Sequence, residues 1–495
     1  MAAIACVHAA LLRGVEAVPV TVEVSPGGGM PGFSFTGSVE GAVSESAARV
    51  RCALGHCGYE IPRARLNINL VPGDVRKSGT GFDLPIAVAV LVATRQIPPR
   101  VADEALFVGE VGLEGQVIPT RGTTAYALLA ADMGVKLVAS ADAAYAPTPG
   151  AEALGLACIS QLKAGLEGLR PLNAYEAGPG AGPRRPDQLD FADVRDQEIA
   201  KRAMVIAAAG RHGMLMVGPP GSGKSMLAKR LPSILPPLTD EERAEALLIH
   251  SVAGQPIDDI AAGIRPFRSP HHSISLGGLV GGGRPVLPGE LSLADKGVLF
   301  LDELPEFATN VLQSMRQPME DKEVRIVRVD GVFSFPCDFQ LVAAANPCPC
   351  GHLGDPGYTC TCSPGRVLAY QNKIGGPLMD RIDVVCDVAR PSERSVIRGG
   401  EGMGSAEMFE LVVNAREFRG WREALEEGPA GPGGARFGPG AMELFEGYAG
   451  RLRLGGRAIV RIARVARTIA DLAEHPLVEQ DDIVEALGFR SRARL

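Results

Sequence analysis

One segment constrains the fold of this 495-residue chain more than any other. Residues 218–225 read Gly-Pro-Pro-Gly-Ser-Gly-Lys-Ser, and they directly follow the apolar run 214–217. In the pattern G-x-x-x-x-G-K-[ST], glycines let backbone N–H groups surround a phosphate where a strand turns into a helix. A strand that is apolar along its whole length is typical of a buried parallel sheet. The segment therefore predicts an α/β domain that binds a nucleotide phosphate.

Each position of this P-loop has an expected task. The lysine reaches the β- and γ-phosphates, the hydroxyl of the last residue ligates Mg²⁺, and the loop backbone cradles the phosphates. An ordinary glycine-rich turn between a strand and a helix is the alternative interpretation. The predicted nucleotide-binding residues are Gly218, Pro219, Pro220, Gly221, Ser222, Gly223, Lys224 and Ser225.

Two further apolar strands end in polar side chains. Residues 297–301 lead into Asp302 and Glu303, and residues 340–345 lead into Asn346. Ligands of open α/β sheets bind at the carboxyl ends of the strands. We expect Asp302 to hold the metal ion through water, Glu303 to polarise the attacking water, and Asn346 to orient that water. Alternatively, Asn346 caps a turn before a proline.

Composition limits the function classes that remain open. The chain has 50 Lys and Arg against 57 Asp and Glu, a formal net charge of −7, so a general basic coat for nucleic acid is excluded. The longest purely apolar run, residues 84–93, is about half a membrane span, and no signal peptide is evident. We expect a cytoplasmic protein without membrane contact, whose ten cysteines serve as thiols or metal ligands.

Glycine- and proline-rich stretches divide the chain. Residues 1–173 mix short alternating segments (17–24, 65–70, 106–111) with helical ones (39–54, 84–93, 125–133), which predicts an α+β or α/β domain. Residues 174–188 have no periodicity and read as a linker. Residues 189–392 alternate strands and helices, and residues 393–495 are mostly helical (406–418, 457–473, 479–487) around a loop at 428–440.

Four cysteines lie close together in the sequence. Cys348 and Cys350 form one C-x-C pair, and Cys360 and Cys362 form another. Two such pairs on a short loop suit a tetrahedral, structural Zn²⁺ site, which would order a loop too small for a core of its own. Free thiols or a redox pair are the alternatives.

Taken in order, these motifs resemble the magnesium-chelatase-like AAA+ ATPases, and within them the competence protein ComM (YifB) family. The similarity runs nearly end to end. It is carried by residues 267–273 (Phe-Arg-Ser-Pro-His-His-Ser), 288–294 (Pro-Gly-Glu-Leu-Ser-Leu-Ala), 301–307 (Leu-Asp-Glu-Leu-Pro-Glu-Phe), 344–347 (Ala-Ala-Asn-Pro), 376–383 (Gly-Pro-Leu-Met-Asp-Arg-Ile-Asp), both cysteine pairs, and 464–472 (Arg-Val-Ala-Arg-Thr-Ile-Ala-Asp-Leu).

The resemblance implies both a fold and a function. The fold is an AAA+ core with a helical lid. Such a protein assembles as a homohexamer, binds ATP and Mg²⁺, and translocates on single-stranded or branched DNA. A branch-migration helicase in homologous recombination and natural transformation is the implied activity. Two alternatives stay open: a magnesium-chelatase-like motor that drives metal insertion by another subunit, and a protein-remodelling motor with no DNA role.

Further roles are carried over from the resemblance. Arg381 would be the arginine finger that enters a neighbouring subunit's site, and Arg457 would be the second sensor arginine. Surface ion pairs, or for Arg457 an exposed helix face, are the alternatives. Residues 324–336 alternate around Asp-Gly and predict a hairpin, which in this group faces the pore, where Arg325 and Arg328 would contact DNA phosphates.

Two histidines are further candidates for DNA contact. His271 and His272 are adjacent, and on an extended segment their rings should point apart, so a shared metal ion is not expected. Contact with a neighbouring subunit, or a plain loop position, are the other interpretations.

The N-terminal block resembles a second family. Residues 71–87 and 108–119 are similar to the proteolytic domain of Lon. A Ser–Lys dyad is needed for that chemistry, but no serine lies at 81–83, and residues 120–124, just after Pro119, read Thr-Arg-Gly-Thr-Thr without a lysine. We expect a Lon-like domain without peptidase activity.

Overall fold

The computed structural model describes residues 4–490 except 62, 173–188, 330, 356, 375, 393–396, 398–401 and 426–429. The linker expected at 174–188 and the start of the C-terminal region at 393 lie outside the described residues. Among the described residues, no helix is both long and apolar enough to cross a membrane.

Residues 4–172 form a mixed sheet with helices. The strands are β1 (Ala5–Arg13), β2 (Glu16–Gly27), β3 (Gly32–Thr36), β4 (Arg65–Val71), β5 (Ala105–Phe107), β6 (Glu110–Val111), β7 (Val117–Ile118), β8 (Lys136–Ser140), β9 (Ala153–Leu156) and β10 (Arg170–Pro171). The helices are α1 (Gly41–His56), α2 (Asp83–Ala93), α3 (Arg100–Asp103) and α4 (Thr123–Asp132), with 3₁₀ turns at Ile159–Ala164 and Leu166–Gly168.

The pattern of burial explains this first sheet. It has eight strands in the order β10-β9-β8-β5-β1-β2-β4-β3, and only the pairs β1–β2, β2–β4 and β9–β10 are antiparallel. Along β4, Leu66, Ile68 and Leu70 are fully buried while their neighbours are more exposed, which is the alternation of a half-buried strand. The predicted strands and helices here are confirmed, except that 106–111 is two short strands rather than one.

Residues 189–392 contain the second sheet. Its strands are β11 (Met214–Val217), β12 (Phe267–Arg268), β15 (Val298–Leu301), β18 (Gln340–Ala345) and β19 (Val384–Asp387), and two hairpins are inserted, β13–β14 (Gly281–Gly282, Leu287–Pro288) and β16–β17 (Glu323–Arg328, Gly331–Pro336). The helices are α5 (Glu198–Gly210), α6 (Lys224–Arg230), α7 (Asp240–Ala253), α8 (Asp258–Ala261), α9 (Leu276–Val280), α10 (Glu290–Leu293), α11 (Thr309–Ser314), α12 (Arg316–Asp321), α13 (Pro364–Asn372) and α14 (Gly376–Met379). Turns of 3₁₀ helix lie at Phe191–Asp193, Leu231–Ile234 and Leu304–Glu306.

This second sheet is wholly parallel in the order β12-β15-β18-β11-β19. Chain order reverses at β11, which lies between β18 and β19. In open parallel sheets such a reversal opens a crevice at the carboxyl ends of the strands, where ligands bind. The three apolar strands expected from the sequence are confirmed, and they are neighbours in the sheet.

The C-terminal region is helical. Its helices are α15 (Ser405–Leu425), α16 (Ala441–Arg451), α17 (Gly456–Leu472) and α18 (Gln480–Gly488), with a 3₁₀ turn at Pro432–Gly434. The helical stretches expected at 406–418, 457–473 and 479–487 are confirmed, and the first is longer than expected. His212 joins α17 to the sheet, because its ring nitrogens lie 3.1 Å from Asp383 Oδ2 and 2.8 Å from Thr468 Oγ1.

The N-terminal sheet domain packs directly on the parallel-sheet domain. Gly122 N donates to the Ser251 carbonyl at 2.9 Å, so the start of α4 is fixed to α7. Around this contact, one apolar cluster joins Ala146 to residues of the second domain: Leu238, Ala246, Leu247, Ile257, Ile260 and Ala261. The turn between β1 and β2 reaches the β16–β17 hairpin, since a Cβ on Gly14 would lie 3.0 Å from the Ser334 carbonyl oxygen, and Val15 packs against the apolar core that includes Phe335.

Candidate active site

The P-loop begins where β11 ends. Gly221 and Gly223 have φ of +77° and +91°, a left-handed backbone that glycine adopts without the strain a side chain would introduce. Gly218 has a different requirement, since a Cβ there would lie 2.2 Å from the Val388 carbonyl oxygen. A Cβ at Gly221 or Gly223 would meet nothing within 4 Å, so the loop borders open space of the kind a phosphate chain requires.

Lys224, the first residue of α6, is buried in this loop. Its ammonium donates to the carbonyl oxygens of Gly218 (2.7 Å) and Pro219 (2.9 Å), and to Asn346 Oδ1 at 3.3 Å. Burial lowers the pKa of Lys224, whereas the negative charges of Asp302 and Glu303 act in the opposite direction. The Lys224 ammonium therefore lies within the P-loop and contacts Asn346, the polar residue after β18.

Two oxygen donors meet beside the P-loop. Ser225 Oγ donates to Asp302 Oδ2 at 2.5 Å, which joins the helix after β11 to the residue after β15. A hydroxyl and a carboxylate are oxygen ligands of the kind that Mg²⁺ binds. These residues fit the expected metal ion, which Ser225 and Asp302 would hold against a bound nucleotide.

Glu303 has an unusual backbone. Its φ is +50°, uncommon for a residue with a side chain and often found at functional positions. The Glu303 side chain is half exposed, and its Oε2 lies 3.4 Å from Nδ1 of His272. The Glu303 carboxylate is therefore accessible to solvent, and it faces the segment after β12 that carries His272.

The expectation that the His271 and His272 rings point apart is wrong. Their ring centroids lie 4.1 Å apart. The physical reason is that β12 ends at Arg268, so the histidines lie on a turn rather than on an extended strand. His272 lies beside Glu303, and both histidines are on a segment separate from the β16–β17 hairpin that carries the other candidates for DNA contact.

Arg381 and Arg457 line one cavity of about 410 Å³. Arg381 Nη2 lies 2.5 Å from Glu320 Oε1 and holds the pKa of that carboxyl below its usual value, while Arg457 Nη1 lies 2.5 Å from Asp380 Oδ2. Within the single chain, each arginine thus has an ion pair of the kind that was the alternative to a catalytic role. The cavity is lined by Arg316, Glu320, Asp380, Arg381, Gly456, Arg457, Val460 and Arg461.

The predicted hairpin is confirmed as β16–β17, although Asp330 lies outside the described residues. Arg325 and Arg328 are both exposed on the first strand, three positions apart, so their side chains leave opposite faces of the ribbon. Sequence reasoning missed a third arginine: the guanidinium of Arg13, from the β1–β2 turn, lies against Gly331 on the second strand. No local signal connects residues 13 and 331, because only tertiary packing brings them together.

The four cysteines converge. Sγ atoms of Cys348, Cys350, Cys360 and Cys362 all lie within 4.8 Å of one another, and this is the one group of three or more metal-ligating side chains in the described part of the chain. Cys348 is buried and the other three are partly exposed. Four thiols at this spacing can hold a tetrahedral metal ion.

Sequence comparisons agree with this architecture. Residues 190–396 match a family model described as magnesium chelatase, subunit ChlI, residues 22–142 match subunit ChlI of Mg-chelatase, and residues 402–490 match the subunit ChlI C-terminal region. The Magnesium-chelatase 67 kDa subunit of Heliobacterium mobile is 26% identical over 34% of this chain and 30% of its own. Fold, site and family models together define a protein of the magnesium-chelatase-like AAA+ class.

Two relatives match almost end to end. Competence protein ComM of Haemophilus influenzae is 38% identical over 513 residues, 99% of this chain and 98% of its own. YifB of Escherichia coli is 38% identical over 499 residues, 99% of this chain and 97% of its own. The chain belongs to the ComM/YifB family.

Proposed function

We propose that the chain is a hexameric, ATP- and Mg²⁺-dependent motor that translocates on DNA and acts as a branch-migration helicase in homologous recombination and natural transformation. One observation carries the proposal: the polar ends of three adjacent parallel strands meet around Lys224, in a chain related over its whole length to a competence protein. ATP hydrolysis follows from the site, and the DNA role follows from the relationship.

In the proposed hydrolysis, each residue has a role set by its position. Lys224 exchanges its contacts with the loop carbonyls for phosphate oxygens, and Ser225 and Asp302 hold Mg²⁺. Glu303, half exposed at the end of β15, accepts hydrogen bonds from the attacking water and polarises it. Asn346, already in contact with Lys224, orients the same water. His272 lies within reach of the Glu303 carboxylate and positions it.

The arginine cavity supports action between subunits. Arg381 and Arg457 line it together, and its lining residues come from outside the P-loop. We infer that both arginines serve the nucleotide of a neighbouring subunit and exchange Glu320 and Asp380 for its phosphates when the ring assembles. This differs from a second sensor arginine acting on its own subunit's nucleotide, the role implied for Arg457 by the family resemblance.

The hairpin is the proposed DNA contact. Arg325 and Arg328 are exposed on β16, Arg13 lies against Gly331 from the β1–β2 turn, and Val327 and Val329 are strongly exposed at the tip of the hairpin. In an acidic protein, a local cluster of arginines on a protruding ribbon is suited to a phosphate backbone. The N-terminal domain, for which we keep the proposal of a Lon-like scaffold without peptidase activity, thus contributes one of the three arginines.

The DNA contact is tested by fluorescence anisotropy on a labelled four-way junction. Arg325→Ala with Arg328→Ala should weaken binding and lower the slope of log affinity against log salt by about 1.8, because two phosphate contacts to duplex DNA are lost. The matched control is Arg100→Ala with Arg419→Ala, which removes the same charge from exposed ion pairs elsewhere. Equal salt slopes for the two double variants would exclude the hairpin as the DNA contact.

A motor without a DNA role is the second candidate. The family models that match the chain are all described as parts of magnesium chelatase, which favours this alternative over an unrelated activity. In that case, ATP hydrolysis would be indifferent to DNA, and a protein partner would be sought at the N-terminal domain.

A further inference from the structure

The cysteine cluster has the dimensions of a zinc site. The Sγ–Sγ distances are 3.4 Å for Cys348–Cys350, 3.7 Å for Cys348–Cys360 and 3.6 Å for Cys350–Cys360. Zn–S bonds of about 2.3 Å in a tetrahedron place the sulfur atoms about 3.8 Å apart. The three distances lie close to that value, and Cys362 Sγ lies within 4.8 Å of each of the other three sulfur atoms. A set of four sulfur ligands selects zinc or an iron–sulfur centre over harder metal ions.

The cluster is also joined to the ATP site through the backbone. Only Pro347 separates Cys348 from Asn346, the residue that contacts the Lys224 ammonium. Cys348 is fully buried, and the Pro347 carbonyl accepts a hydrogen bond from Gln371 Nε2 at 3.1 Å. A metal ion that fixes Cys348 therefore fixes the end of β18 from which Asn346 projects.

A second contact joins the cysteine loop to the P-loop. Gly351, between the two cysteine pairs, has φ of +82°, and a Cβ built on it would lie 2.5 Å from Cδ of Pro220. Arg390 Nη2 reaches the Pro220 carbonyl oxygen at 3.3 Å and Asp355 Oδ2, in the same cysteine loop, at 3.2 Å. The guanidinium also lies 4.7 Å from the centroid of the Tyr358 ring. The two loops thus touch directly and share one arginine.

We propose that Zn²⁺ bound by the four thiolates makes the described part of the cysteine loop (residues 348–355 and 357–362) a rigid brace, which positions Pro220 of the P-loop and Asn346 for ATP hydrolysis. The ion is structural, since four thiolates leave no open position for substrate. The brace rests on the proposed ATP hydrolysis but on neither the DNA role nor the hexamer. Gly351 is a positioning residue, because it acts on the nucleotide through Pro220.

The metal is tested on the purified full-length chain, prepared without chelator, by elemental analysis. We expect about one zinc per chain and no iron. The ion should be released by a mercurial thiol reagent and detected with a chromogenic zinc indicator. Protein lacking stoichiometric zinc, or containing iron in its place, would overturn the assignment.

The brace is tested by two alanine substitutions in the cysteine loop that keep every thiol. Gly351→Ala and Gly354→Ala both add a methyl group at a left-handed glycine (φ of +82° and +76°), so the backbone strain is matched. At Gly351 the methyl group meets Pro220, whereas at Gly354 it meets nothing within 4 Å. Both variants should keep zinc, but Gly351→Ala should lose about tenfold or more in kcat because the P-loop is displaced.

The readouts separate the brace from the proposed function. Both the rate of ATP hydrolysis and the affinity for a fluorescent ATP analogue are measured. The affinity shows whether the P-loop is displaced even if the protein does not hydrolyse ATP. Equal kcat and equal nucleotide affinity in the two variants, each with zinc bound, would refute the brace. Hydrolysis that depends on Gly351 but is indifferent to DNA would leave the brace intact and contradict the DNA role.

Discussion

Replacing Arg381 by alanine separates a catalytic role from a surface ion pair. In the structure, Arg381 contacts Glu320, and the two side chains are 36% and 46% exposed. Exposed ion pairs add little to stability, so the variant should unfold within about 3 °C of the original chain. If the pair were the whole purpose of Arg381, ATP hydrolysis would be equally little affected.

If Arg381 is an arginine finger, its replacement by alanine should affect ATP hydrolysis very differently. Loss of such a group lowers kcat by about 10³- to 10⁵-fold, equivalent to about 4–7 kcal/mol of transition-state stabilisation. The affinity for ATP should change little, because the P-loop of each subunit is intact. The expected pattern is thus a large loss of turnover with thermal stability and nucleotide binding preserved.

Steady-state ATP hydrolysis, thermal unfolding and binding of a fluorescent ATP analogue measure the three quantities. Arg316→Ala is the matched control, since Arg316 lines the same cavity and lies 3.8 Å from the same Glu320. Mixing Arg381→Ala with Lys224→Ala subunits should restore activity at about a quarter of the sites, because each variant supplies what its neighbour lacks. Comparable hydrolysis by Arg381→Ala and Arg316→Ala would refute the finger.

Three further predictions concern stability and binding. Burial raises the pKa of Asp295 to about 6, so its contribution is present below pH 4 and lost as pH rises through 6. Relative to Asp295→Asn, the original chain should lose about 2 kcal/mol of unfolding free energy between pH 4 and 7, measured by denaturant titration. Arg422→Ala should cost about 1.5–3 kcal/mol, because buried Asp471 loses its 2.9 Å partner but keeps Arg467 at 3.1 Å, whereas Arg419→Ala on the same helix should have little effect on thermal unfolding. Lys224→Ala should abolish binding of the fluorescent ATP analogue while the fold, followed by circular dichroism, is kept.

The sequence predicts the nucleotide site well because its chemistry is local. A loop with two left-handed glycines before a lysine requires a strand on one side and a helix on the other, and apolar runs ending in Asp302 and Asn346 supply neighbouring strands. Their parallel arrangement is also expected, because strands buried on both faces read as continuous apolar runs. For these elements the local pattern and the tertiary structure agree.

The remaining features depend on tertiary contacts. His272 lies beside Glu303 because β12 is only two residues long and the chain turns after it, which periodicity does not reveal. Arg13 reaches the hairpin only because the two domains pack together. Likewise, the contact of Gly351 with Pro220 joins loops 131 positions apart in the chain. These contacts between distant residues depend on how helices, strands and loops pack in the tertiary structure, so local sequence patterns do not reveal them.

The central claim is tested most directly by steady-state ATP hydrolysis with no DNA, single strands, duplex and a four-way junction. Glu303→Gln serves as the blank, since it should bind ATP yet lose about 10²- to 10⁴-fold in turnover. A DNA-translocating branch-migration motor predicts strong stimulation of the original chain by DNA, greatest with the four-way junction. Hydrolysis at the same rate with every DNA and without DNA would contradict that account.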